Sequence, residues 1–185
     1  MASRLANQKG IDMIFESAAE IVRLGGQLAI MGTGDANTEA LRAALVLAFP
    51  GKVAAHPFDE DAVRLLFAAA DFLLMPSRFE PCGLSQLIAQ RYGTLPIVTL
   101  TGGLADTVVD LRDDPVNGTG LIVRAIAGIS LSRAVADAVK GYHDPLAFPL
   151  ARRAAMSKDS SWEVSLDVYE ALFRRLLRSE GPGNR

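Results

Sequence analysis

Residues 76–87, PSRFEPCGLSQL, crowd a guanidinium, a carboxylate and the chain's single thiol between an apolar run and a helical stretch. A loop that leaves a buried strand and enters a helix is a usual place for a ligand in α/β proteins. Glu80, between Phe79 and Pro81, is suited to hold sugar hydroxyls or to face a developing positive charge. The same carboxylate would equally serve as the charge partner of the helix that follows. Cys82 sits where thiols can become nucleophiles, at a helix N-terminus. Neither histidine, His56 or His143, is near it in sequence, so Cys82 reads as a packed or substrate-lining residue.

Other loops offer weaker chemistry. In SRLANQKG, Arg4 and Lys9 precede a helix. They fit a diphosphate held by two cations and backbone N–H groups, or two solvated surface cations. In GTGD, Gly32 and Gly34 allow close backbone approach to a ligand or simply a tight turn. No third glycine follows at the spacing of the dinucleotide fingerprint, so a nicotinamide site is not expected. The N–H groups of Gly102 and Gly103 could form an anion-binding nest, with Asp106 capping that loop. Phe58 could stack on a base ring or belong to the core. Trp162 and Tyr169, at helical spacing, read as packing residues.

These loops need a frame, and the apolar pattern supplies one. Ile11, Ile14, Phe15, Ala18, Ala19 and Val22 recur at helical spacing, with Gly25-Gly26 as the stop. QLAIM (27–31), KVAAH (52–56), DFLLM (71–75), LPIVTL (95–100) and GLIV (120–123) read as short strands. Helical stretches over 38–49, 59–70 and 84–92 alternate with them, and three more finish the chain. Alternation of this kind predicts an α/β fold, a parallel, Rossmann-like sheet flanked by helices. The four notable loops then all fall at carboxyl ends of strands, where such sheets bind ligands.

Composition narrows the rest. The chain has 185 residues, half of them hydrophobic, and a formal net charge of -2, which suits one globular domain and gives no footprint for nucleic acid. One cysteine excludes a disulfide framework and a cysteine-based zinc cluster, and the two histidines lack metal-type spacing. No stretch reads as a secretory signal or a membrane span, so a cytoplasmic setting without a membrane partner is expected.

Together, SRLANQKG, PSRFEPCGLSQLIAQRYGTLPIV and TGGLADTV resemble the C-terminal half of bacterial glycogen synthases and plant starch synthases, from Ser3 to the last helix. The resemblance implies a GT-B glycosyltransferase, with two Rossmann-like domains and an active site in the cleft between them. It further implies glucose transfer from ADP-glucose to the nonreducing end of an α-1,4-glucan, with retention and with neither cofactor nor metal. Position by position, it gives Arg4 and Lys9 to the donor's diphosphate and Glu80 to the transferred glucose. It places Cys82, Gly83, Leu84 and Ser85 along sugar and phosphate, Phe58 near the adenine, and Gly32 and Gly34 on the nucleotide side. Gly102 and Gly103 complete the donor-binding set.

The chain departs from the pattern in three places. Ser85 stands where threonine is common. The KxGGL motif of the family's N-terminal domain is absent. MASRL holds only a stub of the first strand, which in the family is longer and apolar. The expectation is therefore a donor-binding domain over residues 1–178, its last helix near 161–178, followed by a disordered tail, 179–185. The acceptor glucan would be met through the missing N-terminal domain, and the chain alone would have little synthase activity. One alternative is another GT-B transferase, but Leu87 and Ile88 stand where an E-x(7)-E pattern has its second glutamate. The other is a nonenzymatic nucleotide-sugar or glucan-binding module. ADP is preferred to UDP by the resemblance alone.

Overall fold

Helix α1 (Ile11–Arg23) buries Ile11, Met13, Ile14, Ser17, Ala18 and Ile21. That stripe is turned slightly from the expected one: Ala19 is exposed, and Met13, Ser17 and Ile21 join the core. The computed structural model describes residues 1–179. Its five strands are β1 (Leu28–Met31), β2 (Val53–His56), β3 (Phe72–Met75), β4 (Leu95–Thr99) and β5 (Leu121–Val123). The remaining helices are α2 (Ala36–Ala48), α3 (Glu60–Ala69), α4 (Ser85–Tyr92), α5 (Gly102–Thr107), α6 (Gly128–Tyr142), α7 (Ala147–Ser157) and α8 (Trp162–Ser179). Side-chain caps fix the entry to two of them. The Asp35 carboxylate accepts from Thr38 N–H at α2, and Asp59 accepts from Ala62 N–H at α3, each at 2.8 Å.

Every strand pair is parallel, as the alternation predicts. Successive residues of one strand go to opposite faces. Leu74 joins Ile97, Leu121 and Val123 against α1 and α6, while Leu73 joins Phe67 of α3 and Ala89 of α4. Helices thus cover both faces of the sheet layer. Ser17 Oγ ties α1 to α6 through the Gly128 carbonyl at 3.0 Å.

The single expected sheet is split in two, β1-β2 and β3-β4-β5. Between them run Met1–Leu5, which pair with the end of β1 and the turn after it through the parallel bridges Ala2↔Met31 and Leu5↔Gly34. Ala2 also packs with Leu73 and Met75. This short segment spans only the carboxyl-terminal half of the gap. The other half is a cleft of about 710 Å³ between Leu28 and Ala29 on one side and Phe72–Leu74 on the other. Protein cores rarely tolerate such a void. The Met1 amino group, buried beside the cleft, donates to the Ala29 carbonyl at 2.9 Å.

Helix α8 also differs from expectation. Trp162 and Tyr169 are 76% and 55% exposed, so the packing role read from their spacing does not appear among the described residues. Periodicity identifies an apolar face and says nothing of what lies against it. The expected tail lies outside the described residues, apart from Ser179, which closes α8. Among the described residues, no helix is long and apolar enough to cross a membrane.

Candidate functional site

Because all strands run in parallel, the loops after Leu5, β1, β2, β3 and β4 emerge at the same edge of the sheet layer. Two of them meet closely. The Arg78 N–H donates to the Gln8 carbonyl at 2.8 Å, and Gln8 Nε2 donates to the Phe79 carbonyl at 3.2 Å. The Arg78 guanidinium forks onto both carboxylate oxygens of Asp12, at 2.8 and 2.6 Å, and also donates to the Asn7 carbonyl at 2.8 Å. This guanidinium holds the Asp12 carboxyl below the usual carboxylate range.

Between these two laced segments Lys9 and Glu80 face each other. Lys9 Nζ is 2.5 Å from Glu80 Oε2, and their side chains are only 18% and 9% exposed. Ser77 Oγ donates to the same oxygen at 3.3 Å, and the Thr99 hydroxyl, from the end of β4, donates to the Ser77 carbonyl. A pocket of about 70 Å³ lies beside the pair, lined by Ser3, Lys9, Ser77, Glu80, Gly83, Leu84 and Ser85 among others. That is room for a few waters and not for a sugar ring.

The site residues read from the sequence thus divide. Lys9, Glu80, Gly83, Leu84 and Ser85 line one pocket at the start of α4. Arg4 is exposed, with no acidic partner among the described residues, and it is outside this lining. Phe58 is exposed after β2, and Cys82 is exposed with its thiol directed to the Gly83 carbonyl at 3.7 Å. Gly32 and Gly34 approach the chain's own backbone: a Cβ would lie 1.8 Å from the Ser3 carbonyl oxygen at the first and 2.7 Å from that of Leu5 at the second. Gly103 donates its N–H to the Glu80 carbonyl at 3.1 Å, so that donor is not offered to an anion nest. Asp106 lies inside α5 rather than at its start.

Sequence reading missed Ser77, Gln8 and Asp12. Arg78 stood in the quoted motif without a role, and nothing local links it to an acidic residue 66 positions earlier. Among the described residues, no cluster of histidine, cysteine, aspartate or glutamate could hold a metal ion.

Comparison with known proteins follows the same outline. Glycogen synthase of Pseudomonas aeruginosa is 44% identical over the whole chain, which covers 35% of that protein. Glycogen synthase of Xanthomonas campestris is 46% identical over 95% of the chain, covering 36% of its own length. The chain therefore spans about a third of these relatives. Among solved structures, the catalytic domain of starch synthase IV from Arabidopsis thaliana, bound to ADP and acarbose, superposes with a TM-score of 0.85 at 32% identity. It covers 94% of this chain and 37% of that one. The C-terminal domain of LpcC from Francisella tularensis shares the fold at 15% identity, with a TM-score of 0.67 over 83% of this chain and 78% of its own. The sequence model described as "Glycosyl transferases group 1" matches residues 1–140. With its parallel, helix-flanked α/β architecture, the chain belongs to the group 1 glycosyl transferases.

Proposed function

We propose that this chain is the donor-binding part of a glycogen or starch synthase, a retaining glucosyltransferase that uses ADP-glucose and no metal. The observation that carries the reading is the Lys9–Glu80 pair, part-buried beside the first residues of α4. A cation next to a helix N-terminus suits the diphosphate, because the leaving ADP gains negative charge as the glycosidic bond breaks. The glucosyl carbon meanwhile becomes oxocarbenium-like, and the Glu80 carboxylate would hold that sugar and offset its charge. The bond from the anomeric carbon to the β-phosphate oxygen breaks, and a bond to the acceptor's 4-hydroxyl oxygen forms on the same face. The hydroxyl proton passes to the departing phosphate. Lys9 and the N–H groups at the start of α4 would stabilise the phosphate through this exchange. Arg4, exposed on the same segment, would swing onto the diphosphate as the second cation.

The acceptor glucan would be bound by the portion of the relatives that this chain does not span. Two measurements test the reading. Calorimetry on this chain should show ADP and ADP-glucose binding that glucan neither requires nor strengthens, and no extension of glycogen. In an enzyme completed with the remaining two thirds, Glu80→Ala should lower turnover by orders of magnitude without weakening ADP binding. Near-normal turnover in that variant would sink the assignment of Glu80, and glycogen extension by this chain alone would overturn the division of labour.

A further inference from the structure

Lys9 reaches the pocket from the short segment ahead of α1, and Glu80 reaches it from the loop after β3. The two positions are 71 residues apart, and their relative placement depends on whatever ties those segments together. The tie is Arg78. Its guanidinium holds Asp12, in the first turn of α1, by two parallel hydrogen bonds, and it also takes the Asn7 carbonyl. Its backbone N–H takes the Gln8 carbonyl. One residue therefore contacts the chain on both sides of Lys9, from a position two residues before Glu80.

A planar fork that satisfies a carboxylate and a carbonyl at once fixes direction as well as distance. The pair is nevertheless accessible, with side chains 30% and 38% exposed, and half-exposed ion pairs contribute little to global stability. Its consequence is thus local.

We propose that Arg78, held by Asp12, is a positioning residue of the donor site: it acts through Lys9, setting where the ammonium stands for the donor's diphosphate. The inference rests on the donor-binding reading above. It adds a residue that touches neither nucleotide nor sugar. A lysine at position 78 would not replace the arginine, because a single ammonium cannot span both Asp12 oxygens and the Asn7 carbonyl.

A double-mutant cycle on this chain, read by ADP calorimetry, tests the inference. Arg78→Ala should weaken ADP about tenfold, Arg78→Lys should recover little of that, and Asp12→Asn should fall nearby. The melting temperature should move by no more than about 4 °C, as expected for a part-exposed ion pair. In the Lys9→Ala background, Arg78→Ala should cost almost nothing further, because the group it positions is gone. Additive losses would overturn the inference and leave donor binding standing, since Arg78 would then act on the fold or on the ligand directly. Unchanged ADP affinity in Arg78→Ala would overturn it too. Absence of ADP binding by the unaltered chain would overturn the donor-site reading, and this inference with it.

Discussion

Lys9 Nζ lies 2.5 Å from Oε2 of Glu80, so the cation and the carboxylate that the proposed chemistry uses separately neutralise each other beside the pocket. A diphosphate competes with Glu80 for the Lys9 ammonium, and the carboxylate also repels the incoming anion. Glu80→Gln should therefore tighten ADP a few-fold in calorimetry. Lys9→Ala should weaken it roughly 10- to 100-fold, the range for losing one hydrogen bond to a charged group. If Glu80→Gln weakened ADP as much as Lys9→Ala does, the two groups would be acting together on the nucleotide, contrary to their assigned roles.

Gly102 stands where the loop after β4 passes against the backbone that carries Glu80. Its φ is +45°, and a Cβ there would lie 2.1 Å from the Glu80 carbonyl oxygen. Alanine would meet both the left-handed strain and that contact. Gly51 shares a positive φ, +71°, but a Cβ there meets nothing within 4 Å. Gly51→Ala should cost about 1 kcal/mol, from backbone strain alone. Gly102→Ala should cost about 2 kcal/mol or more and weaken ADP as the Glu80 loop shifts. Equal urea midpoints for the two variants would show that the close approach relaxes freely.

Much of this arrangement is legible in sequence because it is local. The run DFLLM, the spacing of α1 and the loop chemistry of SRFEPCGL place strand, helix and site edge without knowledge of the fold. What stayed hidden depends on residues far apart in the chain. Asp12 looks like an ordinary first-turn acid until Arg78 is brought to it, and Gly103 looks like a free donor until the Glu80 carbonyl takes its N–H. The apolar spacing around Trp162 and Tyr169 misled for the opposite reason: it describes a face, and among the described residues little lies against that face of α8.

The Met1 ammonium predicts a pH dependence. Burial lowers its pKa from 8.0 to about 5. Between those values the unfolded chain binds the proton and the folded chain does not, so stability is full above pH 8 and falls as pH drops toward 5. Three pH units correspond to at most about 4 kcal/mol, less where the terminus frays into solvent. Urea midpoints at pH 8.5 and 5.5 should differ accordingly for the free chain and nearly coincide once Met1 is acetylated. The carboxylates held low, Asp12 and Asp110 among them, contribute stability that is lost only at more acidic pH, below this window.

The cleft behind Met1 gives the last prediction. Its walls are the edges of β1 and β3, and Met1–Leu5 already run between the same two sheets. In the register Ala2↔Met31, a residue joined ahead of Met1 would come level with Ala29, and the one before it with Leu28. Fusing a short β-branched stretch such as Val-Ile-Val-Val to Met1 should therefore fill the cleft and raise the melting temperature by several degrees, at roughly 2–4 °C per kcal/mol. An equally long Gly/Ser extension should not. Placing proline within the apolar stretch removes one backbone donor, so part of the gain should disappear if the added residues pair as a strand. If the proline version stabilised as well as the parent, the cleft would be accepting apolar bulk without strand geometry. Replacing the ammonium by an amide should also abolish the loss of stability between pH 8 and 5, linking the two measurements in one molecule.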